Sequence, residues 1–108
     1  MKYIYIAGPY TNGDPVLNVR KAIEAADELR ELGYVPFIPH LCHLWHLISP
    51  HEYEYWMLYC FEWLERCDGL LRLPGESEGA DREVDRMLIL GKPVFYVLPL
   101  MSRKEDVK

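Results

Sequence analysis

No apolar run in the 108-residue sequence is close in length to the roughly 20 residues that are needed to span a bilayer. The start, Met1-Lys2, is not followed by the pattern of a signal peptide. It also has no excess of basic residues, because the formal net charge is −5. A protein that binds the phosphate backbone of nucleic acid shows a basic stripe, so that class is disfavoured. We therefore expect a cytoplasmic protein without membrane or nucleic-acid partners, whose ligands are small polar molecules.

Several common site motifs are missing as well. Cys42, Cys60 and Cys67 are odd in number and lack CxxC spacing, which predicts reduced, buried thiols. Without an HExxH motif, the histidine-rich segment 40–51 is more typical of packed or cavity-lining imidazoles than of a metal site. The absence of GxGxxG and GK[ST] disfavours dinucleotide and P-loop sites. We expect neither a metal nor a cofactor.

Composition and periodicity predict one folded domain over residues 1–98 and a charged C-terminal tail over 99–108. Half of the residues are hydrophobic, which is enough for a core in a chain of this length. The apolar runs 2–7, 34–38, 70–73 and 94–98 predict strands, and helical spacing predicts helices over 15–32, 52–66 and from 77 to before Gly91.

The long connection 39–49 precedes the second helix, for which Ser49-Pro50-His51-Glu52 predicts a capping box. Continuous apolar strands that alternate with helices predict a parallel sheet covered on both faces. The expected fold class is therefore α/β, a three-layer sandwich of flavodoxin or Rossmann type with a small parallel sheet of four or five strands.

Ligands of such sheets bind at the carboxyl ends of the strands, near the point where the strand order reverses. The turns after the first and third strands should meet there. In the first turn, Gly8, Tyr10, Thr11 and Asn12 are candidates for contact with a sugar or phosphate. An ordinary turn of the same composition needs no ligand.

The segment Ser77–Glu83 predicts an anion site, because free N–H groups and the helix dipole point outward where a small-residue turn opens a helix. Gly79 allows close approach of a ligand, and the Ser77 hydroxyl can donate to a phosphate oxygen. A helix cap uses the same geometry. Glu83 is expected near the first turn, where the dipole keeps a nucleophilic carboxylate ionised; a solvated surface glutamate is the alternative.

Three stretches, Met1–Tyr10, Phe61–Asp68 and Ser77–Glu83, resemble the nucleoside 2-deoxyribosyltransferase-like superfamily, and the resemblance covers residues 2–98. The most similar members are its small uncharacterised proteins, followed by its 2′-deoxynucleoside 5′-monophosphate N-glycosidases. Those hydrolases carry Ser-x-Gly-x-x-x-Glu, which this chain has from Ser77 to Glu83, whereas the transferases tend to carry Asp at the serine position. A carboxylate there would repel a 5′-phosphate, so Ser77 favours a nucleotide.

The resemblance implies an enzyme that cleaves an N-glycosidic bond or transfers 2-deoxyribose on a nucleotide-like substrate. Glu83 would attack C1′ of the sugar and form a covalent glycosyl-enzyme, which water or a second base then releases. It also implies a homodimer or larger assembly in which a partner completes the site, and the aromatic helix 52–66 is the candidate interface.

One departure from the family concerns the leaving base. The characterised enzymes have an aspartate eight residues before Asp68 that serves the base, and this chain has Cys60 there. Asp68, Glu62 or a histidine of segment 40–51 would then supply the acid. The rival hypothesis, a non-catalytic nucleotide-binding or sensing module on the same fold, rests on this same substitution.

Overall fold

The computed structural model describes residues 2–98, so the predicted tail 99–108 lies outside the described residues. Four strands and four α-helices follow one another along the chain, with one 3₁₀ turn between them. In chain order they are β1 (Tyr3–Ala7), α1 (Pro15–Glu31), β2 (Val35–Phe37), the 3₁₀ turn (Pro39–Leu41), α2 (Cys42–Ile48), α3 (Tyr53–Arg66), β3 (Gly69–Arg72), α4 (Glu78–Ile89) and β4 (Val94–Phe95).

The four strands form one parallel sheet in the order β2-β1-β3-β4. At its centre, Tyr5 pairs with Phe37 on one side and with Leu70 on the other. The chain steps outward from β1 to β2 and then returns across β1 to β3, so the strand order reverses between β1 and β3. The sheet confirms the predicted α/β sandwich, and its reversal is the place where such folds bind ligands.

Alternating side chains of β1 enter two separate cores, which makes the fold three-layered. Ile4 and Ile6 pack with the inner face of α1, where the buried residues are three alanines and Leu29. Tyr5 and Ala7 face the other side, beneath α3 and α4. Tyr5 is fully buried, so its hydroxyl requires a polar partner within the protein.

Helix α1 begins and ends as its sequence predicts. The Asp14 carboxylate accepts a hydrogen bond from the Val16 amide at 2.9 Å, and Pro15 occupies the first helical position. Gly33 follows the helix with φ of +97°, a conformation that favours glycine. Within residues 2–98, α1 is also the longest helix, and none of the helices there is apolar enough over a sufficient length to cross a bilayer.

The segment 39–49 is helical, which corrects the prediction of a long connection. The 3₁₀ turn and α2 occupy it, and α2 ends where the Ser49 amide donates to the Trp45 carbonyl at 2.9 Å. The predicted capping box is also wrong, since α3 begins at Tyr53 after Glu52 and no side chain caps it. Ser49 already terminates α2, and a residue before proline is disfavoured in helical conformation.

Candidate functional site at the carboxyl edge of the sheet

A cavity of about 440 Å³ opens at the carboxyl ends of β1 and β3; we call it the carboxyl-edge cavity. Its walls come from the loop after β1, the 3₁₀ turn with α2, the loop 49–52 with α3, and the start of α4. Six residues that the sequence singled out line it together: Gly8, Tyr10, Thr11, Ser77, Gly79 and Glu83. The two predicted ligand turns therefore meet at one site.

Direct contacts join these two turns. The Asn12 side chain donates to the Glu76 carbonyl at 2.8 Å, and a Cβ on Gly75 would lie 2.7 Å from Cγ of Pro9. Gly75 also has φ of +115°, so close approach and backbone conformation both require glycine there. Asn12 does not line the cavity. Its predicted contact with a ligand is corrected to a bond between the two turns.

Glu83 is the buried acid of the site. Glu83 is only 6% exposed, and the Tyr5 hydroxyl donates a hydrogen bond to its Oε2 at 2.5 Å. Burial raises the pKa of Glu83 to about 7, against the hydrogen bond from Tyr5 and the positive charges of Arg72 and Arg82. Glu83 lies in the second turn of α4, beyond the first turn near which it was expected, and burial, not the helix dipole, is the largest influence on its pKa.

The start of α4 combines a side-chain cap with unused donors. The Ser77 hydroxyl accepts from the Ala80 amide at 3.1 Å. The amides of Glu78 and Gly79 make no hydrogen bond to any part of the chain between residues 2 and 98. A Cβ on Gly79 would come within 2.8 Å of the Tyr53 hydroxyl, so a larger residue there would displace the end of the Tyr53 side chain, where α4 passes α3. The same helix start therefore carries a side-chain cap and amide donors without a partner among residues 2–98.

Asp68 lies at the opposite edge of the sheet. Its carboxylate accepts from the Tyr3 amide at 2.8 Å, and its own amide donates to the Tyr3 carbonyl at 2.7 Å. Both contacts are at the start of β1, whereas the carboxyl-edge cavity is at the end of β1. The structure therefore corrects the prediction of Asp68 as the acid that serves the leaving base.

All four histidines line the cavity, and hydrogen bonds hold the rings of three of them, including His51, whose Nδ1 lies 2.9 Å from the Ser49 carbonyl oxygen. His40 is buried with Nε2 3.1 Å from the Pro9 carbonyl, and burial lowers its pKa. Nδ1 of His46 accepts from the His51 amide at 3.2 Å and from Nε1 of Trp56 at 2.8 Å. The proton of neutral His46 is therefore on Nε2. No metal-binding cluster of three or more His, Cys, Asp or Glu occurs within residues 2–98.

The cysteine at the family's aspartate position also lines the cavity. Cys60 is buried, and its Sγ lies 3.8 Å from Sγ of Cys42. All three cysteines are free, but Cys42 is only half-buried, which differs from the prediction that every thiol is buried. Glu83 is the single carboxylate among the described residues that line the cavity.

Three residues that shape the site were not predicted: Tyr5, Asn18 and Arg72. The Asn18 side chain donates to the carbonyls of Tyr10 and Asn12 and holds the first turn. Arg72 donates to the Leu73 and Gly75 carbonyls and to Asp81, which holds the second turn against α4. Tyr5 and Arg72 lie in otherwise apolar strands, and a polar group in a buried strand needs a partner. That rule could have identified both residues.

A doubly covered parallel sheet with a cavity at its switch point and a buried acid in that cavity define an α/β protein of flavodoxin-like topology. The chain belongs to the DUF4406 family, a domain of unknown function whose model matches residues 2–96. No curated protein matches the sequence.

A solved structure of a 2-deoxyribosyltransferase from the psychrotolerant bacterium Bacillus psychrosaccharolyticus is similar to this chain, with 27% sequence identity and a TM-score of 0.62. The match covers 85% of this chain and 69% of that one. It confirms the resemblance to the nucleoside 2-deoxyribosyltransferase-like superfamily and the Rossmann-like class of the fold.

The raised pKa of Glu83 predicts a dependence of stability on pH. The folded pKa of about 7 exceeds the ordinary 4.5, so the contribution of Glu83 is fully present below pH 4.5 and is lost as the pH rises through 7. From pH 5 to pH 8, the wild type should lose about 2 to 3 kcal/mol more unfolding free energy than Glu83→Gln.

Urea unfolding at both pH values measures this difference. Glu24→Gln, which alters an exposed carboxylate on α1, is the matched control and should follow the wild type. Parallel curves for the wild type and Glu83→Gln would show that the pKa of Glu83 is not raised by folding.

Proposed function

We propose that this protein cleaves the N-glycosidic bond of a deoxynucleotide-like small molecule, or transfers its deoxyribosyl group, with Glu83 as the nucleophile. The observation that carries the proposal is the buried Glu83 carboxyl, held by Tyr5 inside a cavity at the switch point of the sheet. The similarity to a 2-deoxyribosyltransferase supports glycosyl transfer as the class of chemistry.

The geometry suits attack on an anomeric carbon. Tyr5 holds Oε2 of Glu83, which leaves Oε1 as the oxygen that attacks C1′ of the sugar. With a pKa of about 7, a large fraction of Glu83 is ionised at neutral pH. The C1′–N bond breaks through an oxocarbenium-like transition state as the C1′–O bond forms. Water, or a second base, then attacks C1′ and releases Glu83.

The leaving base would lie against the aromatic and histidine wall of the cavity. Tyr10 and His43 have ring centroids 4.5 Å apart there, and Trp56 lines the same cavity, so flat apolar surface is available for a nucleobase. Nε2–H of His46 offers a hydrogen bond to an acceptor on the base, because its Nδ1 is already occupied. In this proposal, His46 partly replaces the aspartate that serves the leaving base in the characterised enzymes of the superfamily.

A 5′-phosphate would bind at the start of α4. The free amides of Glu78 and Gly79 and the positive end of the helix dipole favour an anion, and Ser77 adds a hydroxyl without adding charge. The Glu78 side chain is exposed to solvent. These features support a nucleoside monophosphate over an unphosphorylated nucleoside.

A nucleotide-binding module without catalysis is the second candidate function. It is favoured by Cys60, because a neutral thiol cannot replace the aspartate that serves the leaving base. The hydrogen bond with Cys42, together with burial, raises the pKa of Cys60 far above its usual range, so this thiol is a poor proton donor.

Base release separates the two functions. Incubation with the deoxynucleoside 5′-monophosphates should liberate free base, detected by chromatography, and Glu83→Ala should lower the rate by about 10³-fold or more. Asp85→Ala, an exposed carboxylate on the same helix, is the control and should keep the wild-type rate. Binding without base release would establish the non-catalytic module, and base release by Glu83→Ala would refute Glu83 as nucleophile.

The phosphate site is tested by Ser77→Asp. Aspartate caps a helix as well as serine does, so the fold should retain its stability. The added charge should weaken binding of a deoxynucleoside 5′-monophosphate about tenfold or more, a loss of about 1.4 kcal/mol, and leave binding of the matching nucleoside unchanged. Calorimetric titration with both ligands measures the effect. Equal affinity of the variant and the wild type for the monophosphate would contradict this placement.

We also propose that a second copy of the chain covers the exposed apolar side chains of α2 and α3. Helix α2 buries none of its residues, and its Leu47 and Ile48 are 65% and 85% exposed, so two neighbouring apolar side chains are available there to a partner. Leu58 of α3 is 59% exposed. These helices also supply walls of the carboxyl-edge cavity, so a partner here would stand beside the site.

Sedimentation measures this association. The wild type should sediment as a dimer or larger species, and Leu47→Glu with Leu58→Glu should shift it to the monomer, because two charges cannot be buried without partners. Val16→Glu, at an equally exposed position on α1, should leave the assembly intact. A wild type that is monomeric at high concentration would overturn the proposal.

A further inference from the structure

Two thiols face each other in the wall of the carboxyl-edge cavity. Cys42 begins α2, Cys60 lies in the middle of α3, and their Sγ atoms are 3.8 Å apart. Both residues line the cavity together with Glu83. Cys67, the third thiol, is buried in the core below and does not line the cavity.

The thiols also connect to the proposed nucleophile. Cys60 lies in the same buried core cluster as Tyr5, and the Tyr5 hydroxyl donates to Glu83 at 2.5 Å. The half-buried Cys42, the buried Cys60 and the Glu83 carboxyl therefore belong to one cavity wall, with Cys60 and Tyr5 packed in the core behind it. A change in the state of the two sulfurs alters the surroundings of Tyr5 and Glu83.

We propose that Cys42 and Cys60 are an oxidisable dithiol, and that low-molecular-weight disulfides such as oxidised glutathione convert them to a disulfide in the cavity wall. Oxidation is then a modification of the ligand site itself. Its expected effect on nucleotide binding rests on the proposed function, whereas formation of the disulfide does not.

The two sulfurs can reach bonding distance with a small movement. A disulfide bond is about 2.05 Å long, so the Sγ atoms must approach by about 1.8 Å. Cys60 is buried in the core, whereas Cys42 is half-buried at the first residue of α2, a helix that buries none of its residues and contacts α3 through Trp45 and His46 further along. Cys42 therefore moves and Cys60 stays in place.

The two thiols have different parts in the exchange. The hydrogen bond from Cys60 lowers the pKa of Cys42, and Cys42 is the more exposed of the two, so its thiolate attacks the reagent disulfide first. One glutathione thiolate leaves and takes up a proton. Cys60 then loses its proton and attacks Sγ of Cys42, which expels the second glutathione. Two protein thiols are oxidised, and one glutathione disulfide is reduced to two thiols.

The disulfide would change the site in two ways. It draws the start of α2 towards α3 across the cavity wall, and it removes the Cys60 thiol from its contact with Tyr5. We expect the oxidised protein to bind a deoxynucleoside 5′-monophosphate at least tenfold more weakly than the reduced protein, and reduction with dithiothreitol to restore binding.

Thiol counting by mass spectrometry tests the dithiol directly. After equilibration with oxidised glutathione, alkylation under denaturing conditions should leave Cys42 and Cys60 unlabelled, linked to each other and free of glutathione, while Cys67 is labelled. Cys67→Ser should form the same link, whereas Cys60→Ser should stop at a glutathione adduct on Cys42. Recovery of both thiols as free or only as separate glutathione adducts would overturn the proposal.

Nucleotide binding by the reduced and the oxidised protein is measured in a separate experiment. If the disulfide forms and the reduced protein binds the nucleotide but the oxidised protein binds it equally well, the claimed effect on the site is refuted while the dithiol stands. If the reduced protein binds no nucleotide, the proposed function fails, and the link between Cys42 and Cys60 still decides the dithiol. Cys42→Ser should bind nucleotide equally before and after treatment.

Discussion

The hydrogen bond from Tyr5 to Glu83 is the constraint on which the rest of the site depends. A carboxyl group removed from water is costly, and a charge-assisted bond inside the core offsets part of that cost. Tyr5 is at the centre of β1 and Glu83 is in the second turn of α4, so one contact ties the middle of the sheet to this helix. It fixes how α4 is rotated and how far its start projects beyond the strands.

The two features that favour a ligand follow from that placement. With Glu83 turned inward, α4 starts beside the switch point, where the Glu76 carbonyl just before the helix accepts a hydrogen bond from Asn12 in the loop after β1. The same burial that positions the carboxyl also raises its pKa, so the site gains a reactive acid and the fold loses stability at alkaline pH. Function and stability therefore oppose each other at a single side chain.

The features set by local sequence were the ones that could be predicted. Asp14, Pro15 and Ser77 determine helix starts through their own side chains, and the apolar strands determined the sheet. The burial of Glu83 is a tertiary property, because spacing along a helix does not say which face meets the sheet. Segment 39–49 was mistaken for a connection because α2 is only seven residues long and its apolar side chains are exposed. Asp68 precedes its strand, so the parallel topology alone already puts it at the wrong edge.

The thiols at the cavity wall change the electrostatics of the site relative to the family pattern. A second carboxylate beside Glu83 would raise its pKa further through like-charge repulsion, whereas Cys60 is neutral and adds no such term. The proposed nucleophile Glu83 would therefore stay available at neutral pH, but a leaving base would have no strong acid next to it. For the proposed reaction, this balance favours substrates whose base departs with only a hydrogen bond, such as the one from Nε2–H of His46. With Cys60 at the position of that aspartate, selection among substrates would depend less on the strength of a catalytic acid. It would depend more on how well the base fits against the aromatic and histidine wall of the carboxyl-edge cavity.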